Sequence, residues 1–185
     1  MKHHVSKFLG GAVCVFASLM PVHGSALTYA DAVEALSDQD LQRPSFQDHG
    51  YLCEKLAMLK MSESYDKSQL ASSIVYSRNG RVIGELDVVV FDRDGLAQTV
   101  IEVKCRKSYT SAMNSASKQL TRFQGVAGRC DYDYVDKKGK RYDCSAFKSP
   151  IDYTAMSYTD AQRAGFELSF DLSRDQVLQL VDELR

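Results

Sequence analysis

Apolar residues alternate and then run together through the middle of the chain. Ser73 to Ser77 (SIVYS) reads as a strand, Asn79-Gly80 as a two-residue hairpin turn, and RVIGELDVVVF as the returning strand. A second turn at Asp94-Gly95 separates LDVVVF from TVIEVKC, so the pattern predicts a meander of three antiparallel strands. VVVF and TVIEV are continuously apolar, the mark of strands buried on both faces. Around this block the period turns helical. Helices are expected over Gln47 to Ser62 (QDHGYLCEKLAMLKMS) and Ser108 to about Gln124. A short one in TYADAVEAL has Thr28 as cap and Asp31 three residues on, and Arg43-Pro44-Ser45 breaks the chain after it. Ser173 and Gln176 form a capping pair for SRDQVLQLVDELR, whose apolar stripe is Val177, Leu180, Val181 and Leu184. DYDYVDKKGKRYD reads as two short strands about Lys138-Gly139, the stretch around Tyr153 and Tyr158 as irregular, and Phe166 to Phe170 as a further strand. The sum is an α/β fold, a mixed β-sheet flanked by helices.

The first residues follow another logic. Lys2 and Lys7 precede a short apolar run, FLGGAVCVFASLM, and PVHGSA follows it. This is the order of a secretory signal peptide, expected over residues 1–26 with cleavage after Gly24 or Ala26. The run is short for a membrane span, and Gly11 stands where a lipoprotein signal would carry Leu before Cys14. The chain is therefore expected to be exported, periplasmic or secreted, without stable membrane association after leader removal. Residues 27–185 are enough for one domain with its own core. With 44% hydrophobic and 25% charged residues, the chain has the composition of a globular protein. A net charge of -1 excludes a general pull on polyanions, yet cations cluster at Lys104 to Lys107 and at Lys137 to Arg141.

Export changes the reading of the cysteines. Cys53, Cys105, Cys130 and Cys144 remain after the leader, an even number in an oxidising compartment. Cys130 and Cys144 flank the expected hairpin, which favours a Cys130–Cys144 bridge; Cys53–Cys105 follows by elimination. No C-x2-C spacing supports zinc.

The meander also concentrates chemistry. Alternate strand residues share a face, so Glu102 and Lys104 point one way while Ile101, Val103 and Cys105 point the other. Pairing about Asp94-Gly95 brings Asp87 near Glu102. Two acids with a lysine beside them form a site for a hard divalent cation with a cationic helper. The competing account of a Glu-x-Lys strand is a surface ion pair. Charges embedded in strands this apolar need partners, and a shared cation supplies one.

Gly84-Glu85-Leu86-Asp87 followed by Glu102-Val103-Lys104 resembles the PD-(D/E)xK nuclease superfamily, whose signature is an acid on one strand and E-x-K on the next. Glu54 matches the family's first-helix glutamate, and Lys118-Gln119 the K or Q that often follows E-x-K. The resemblance spans about Gln47 to Gln124; no Pro precedes the acid, as in many members. It implies a restriction-endonuclease-like core and metal-dependent hydrolysis of DNA or RNA, as endonuclease or exonuclease. Asp87, Glu102 and the main-chain carbonyl of Val103 would hold Mg²⁺ or Mn²⁺. Lys104 would position the attacking water, Glu54 would hold a second ion or a water, Gln119 would bond a water or phosphate oxygen, and Lys118 would contact the backbone. Glu85 shares the face of Asp87 and is either a further acid at the site or the partner of Arg106.

Two other classes stay open. One is a catalytically inactive nuclease fold acting as a binding module; the other is an exported protein-interaction factor in which Asp87 and Glu102 lie far apart. A serine hydrolase has little support, because His49 is the one histidine after the leader and no G-x-S-x-G occurs.

Overall fold

A computed structural model describes residues 26–37 and 49–184; residues 1–25 of the expected leader, and Gln47 and Asp48 of the expected Glu54 helix, lie outside them. Four helices, α1 (Tyr29–Ser37), α2 (His49–Ser62), α3 (Tyr109–Gln124) and α4 (Arg174–Glu183), flank seven strands. These are β1 (Leu70–Arg78), β2 (Arg81–Phe91), β3 (Ala97–Val103), β4 (Asp133–Asp136), β5 (Arg141–Tyr142), β6 (Asp152–Ser157) and β7 (Leu168–Ser169). They form one mixed sheet in the order β5-β4-β1-β2-β3-β6-β7. The meander β1-β2-β3 is antiparallel, as is β4 with β1 and with β5, whereas β6 runs parallel to β3 and β7 parallel to β6.

The turns are set by local chemistry. Asn79 and Gly80 both have positive φ (51° and 73°), as the twist of a two-residue hairpin requires. The β2–β3 and β4–β5 turns share one device. Asp92 Oδ1 accepts the N–H groups of Asp94 and Leu96, and Asp136 Oδ1 those of Lys138 and Lys140. In each turn the glycine three residues after that aspartate (Gly95, Gly139) takes the left-handed conformation.

Each face of the sheet has its own core. Val88, Val90, Ile101 and Val103 pack with Leu52, Leu56, Leu36 and the α4 stripe Val177, Leu180 and Val181. Val89, Val100 and Phe91 pack with Leu120 and Phe123 of α3, and with Tyr134 and Phe147. Ala112 and Ala116 of α3 meet Ala155 of β6, where small side chains let helix and strand approach closely. Both disulfides are formed, Cys53–Cys105 tying α2 to the end of β3 (Cα–Cα 6.3 Å) and Cys130–Cys144 closing the β4–β5 hairpin (5.1 Å). Both are compatible with export. No helix among the described residues is long and apolar enough to cross a membrane.

Two expectations are corrected. The segment holding Tyr153 is the strand β6, lying between β3 and the edge strand β7 and buried in its second half; DYTAMS lacks the β-branched density that marks β2 and β3. Phe166 to Phe170 contributes only the two residues of β7, preceded by a 3-10 turn at Thr159–Ala164.

Gly84 opens the Gly-Glu-Leu-Asp run, and the Tyr76 ring lies against it: a methyl there would meet Tyr76 Cε1 at 2.8 Å. Gly84→Ala should therefore lower stability by about 1–3 kcal/mol, the usual cost of overpacking. In a Tyr76→Val background the same change should cost almost nothing. Thermal melts of the four proteins decide it, and an equal cost in both backgrounds would contradict the contact.

Candidate active site

The site lies where β2 and β3 part. Their ladder holds through Val88–Ile101, and the next opposed residues, Asp87 and Glu102, make no pair. Beyond that point β3 stays bonded to β6, through Glu102–Ala155 and Val103–Met156. The N–H of Val103 loses its strand partner on the β2 side, and Asp87 Oδ2 accepts it at 2.7 Å. A carboxylate thus replaces a ladder bond at a buried fork. Lys104 is anchored by β6, its N–H donating to Met156 O at 3.1 Å and its carbonyl accepting the buried Ser157 hydroxyl at 2.5 Å.

The other edge of β2 is also irregular at this level. Ser73 and Asp87 fall between the pairs Ser72–Val88 and Ile74–Leu86 without pairing. Ser73 has φ 55°, a conformation that non-glycine residues adopt at some cost. Side-chain alternation slips here in both strands: Ala71 shares a core with Ile74, and Leu86 with Val89. This local twist lets Ser73 Oγ donate to Glu54 Oε2 on α2 at 3.1 Å. It joins the helix to the level of Asp87.

At the centre stands the Lys104 ammonium. Nζ lies 3.4 Å from Asp87 Oδ2 and 3.1 Å from Val103 O, and makes a short contact with Glu102 Oε1. All three N–H bonds of the ammonium have an oxygen acceptor. Those oxygens are the three expected to hold a divalent ion, so a cation already occupies their meeting point. This is the observation that tests whether the residues fit a metal, and the hard, anionic oxygen set does fit Mg²⁺ or Mn²⁺. Among the described residues no three His, Cys, Asp or Glu side chains are gathered tightly enough to hold a metal ion by themselves. The set is two carboxylates and a main-chain carbonyl.

The electrostatics match a site short of positive charge. Glu102 is 1% exposed, and burial, with the adjacent Asp87 charge, pushes its carboxyl up to about 8 against the opposing pull of Lys104. Burial and then Asp87 also raise Glu54, opposed by Lys137 and the Ser73 hydroxyl. Glu85 is nearby but paired with Lys137 at 2.9 Å, not with Arg106. Oε1 of Glu85 is buried and makes no well-directed hydrogen bond. Although burial opposes it, contact with Glu85 and the charges of Glu54, Glu85 and Asp87 hold the Lys137 ammonium above its ordinary value.

Asp87, Glu102, Val103 and Lys104 are thus brought together. Glu54 stands beside them and interacts electrostatically with Asp87. Gln119, half-buried on α3, and Lys118, exposed beside it, make no side-chain hydrogen bond or ion pair among the described residues. Sequence reasoning missed Ser73 and Lys137 as neighbours of the acids. Lys137 was visible only as part of a basic run, and nothing in the sequence marks Ser73. Comparison with known proteins finds no matching family model, curated protein or solved structure.

The raised carboxyl of Glu102 has a thermodynamic consequence. Between about pH 4.5 and 8 the folded chain holds a proton that the unfolded chain has released. Its stabilising contribution is full below that window and is lost as pH rises through it. In EDTA, denaturant midpoints should fall across the window, and Glu102→Gln should flatten the fall. Parallel slopes for the two proteins would show that Glu102 is not raised.

Proposed function

We propose that the protein is a metal-dependent nuclease of the PD-(D/E)xK type, with a restriction-endonuclease-like core, hydrolysing phosphodiester bonds of DNA or RNA. One observation carries the reading: Asp87, Glu102 and the Val103 carbonyl converge on a single cation position, occupied by Lys104. The order helix, antiparallel strands, E-x-K strand and helix agrees with it.

Bound Mg²⁺ or Mn²⁺ would supply Lewis-acid chemistry, polarising the scissile phosphate and easing deprotonation of water. The chain's own residues would do the rest. Asp87, Glu102 and the Val103 carbonyl would hold the ion, displacing the Lys104 ammonium from their centre. Freed of these contacts and anchored through its backbone to β6, Lys104 would turn its donors to the attacking water and to charge developing on the phosphate. Glu54, held by Ser73, would orient a second ion or a water.

A second reading rests on the same contact. Lys104 already fills the meeting point of the two acids, so an inactive nuclease fold would need no metal there and would serve as a binding module. Incubation of the mature protein with plasmid, linear DNA and RNA, in Mg²⁺, Mn²⁺ or EDTA, separates the two. Cleavage should require the metal and fall roughly a hundredfold or more in Lys104→Ala, with the fold intact. Full activity in EDTA or in Lys104→Ala would overturn the mechanism. Calorimetric titration of Mn²⁺ should show binding lost in Asp87→Asn and Glu102→Gln, with a milder effect in Glu54→Gln; unchanged affinity in Asp87→Asn would remove Asp87 from the site.

A further inference from the structure

Five lysines of this chain line one groove. A cavity of about 400 Å³ lies over the start of β1, between α2 and the β4–β5 hairpin. Lys55 projects from the α2 wall, Lys67 from the turn before β1, and Lys137, Lys138 and Lys140 from the hairpin. Glu54 and Ser73 form its inner end, which links the groove to the acids at the fork. In a chain of net charge -1, such a concentration makes a local positive field rather than a general one.

Five lysines outnumber the two acids that line the groove, Glu54 and Asp136, which offset only part of that field. Asp136 is committed to its own turn, accepting the N–H groups of Lys138 and Lys140 and the Tyr142 hydroxyl. Of the five lysines only Lys137 makes a salt bridge among the described residues, with Glu85. Lys138 and Lys140 are exposed residues; the Lys140 ammonium lies 4.7 Å from the centre of the Tyr142 ring and that of Lys55 5.2 Å from the Tyr51 ring. Lysines are point charges suited to phosphate, and lysines placed on opposite walls suit a ligand carrying phosphates at intervals. The volume is that of a drug-sized ligand. A cavity of this volume admits part of one extended strand and is too small to enclose a duplex. The Cys130–Cys144 bridge closes the hairpin at its base and β4 pairs with β1, so the hairpin's lysines stay fixed relative to β1.

We propose that this groove seats a single polynucleotide strand and delivers it, past Glu54, to the acids at the fork. The delivery step rests on the nuclease reading; the binding step does not. The test is anisotropy of a labelled oligothymidylate, and of a duplex of equal length, in EDTA over a range of salt. The proteins compared are the wild type, Lys55→Ala/Lys138→Ala, and a control, Lys148→Ala/Arg163→Ala, that removes equal charge from exposed positions outside the groove. The single strand should bind more tightly than the duplex. Each single-strand phosphate contact contributes about 0.7 to the salt slope, so the groove variant should lose roughly 1.4 and the control none. Equal losses in both variants, preference for duplex, or no binding of the oligonucleotide would overturn the proposal. Metal-dependent cleavage, with Lys104→Ala as the inactive reference, is measured on the same proteins. Cleavage with a groove variant that binds like wild type removes the groove and leaves the nuclease. Groove-dependent binding without any cleavage keeps the groove and removes the nuclease.

Discussion

A buried ammonium among three oxygens is the constraint on which the site depends. Lys104 sits where two strands separate, between two buried acids that need an opposing charge or a hydrogen-bond donor. Remove the lysine, and Asp87 and Glu102 face each other in an apolar sheet with no opposing charge at their meeting point. Remove the acids, and a half-buried ammonium loses most of its acceptors. The fork requires this arrangement, because β2 and β3 leave backbone groups unpaired just where Asp87 reaches across to the Val103 N–H.

The surrounding structure holds that fork open. On one side β6 takes over the hydrogen bonds of β3 and fixes the Lys104 backbone. On the other, Ser73 departs from strand geometry and ties β1 to Glu54. The Cys53–Cys105 disulfide clamps α2 to the strand end, with one cysteine adjacent in sequence to Glu54 and the other to Lys104. Apolar packing on both faces of β2 and β3 keeps the intervening residues rigid, so the charges meet in a dry, ordered place where a cation is worth more than at the surface.

Much of this was legible in the sequence, for identifiable reasons. The two-residue period of a strand puts Glu102 and Lys104 on one face, and a turn at Asp94-Gly95 sets a register in which Asp87 opposes Glu102. Cysteines flanking a short hairpin have few alternatives, and the Ser173–Gln176 capping pair marks a helix start without tertiary help. What escaped depends on tertiary neighbours. β6 is a strand because β3 offers it an edge, not because DYTAMS favours one. Glu85 pairs with Lys137 rather than Arg106 because β4 comes to lie beside β1, bringing its turn over β2. The slip at Ser73 stands at the level where β2 and β3 part, and the lysine groove depends on the docking of the hairpin opposite α2; neither is written in the local sequence.

The central claim is that one position serves two cations, the Lys104 ammonium and a divalent ion. Anomalous diffraction from crystals grown in EDTA and then soaked in Mn²⁺ tests it directly. The account predicts a single strong peak between Asp87 Oδ2, Glu102 Oε1 and Val103 O, with the Lys104 side chain swung away from its contacts in the metal-free crystal. A Lys104 ammonium that stays in place, with manganese absent from that position or bound elsewhere, would contradict it.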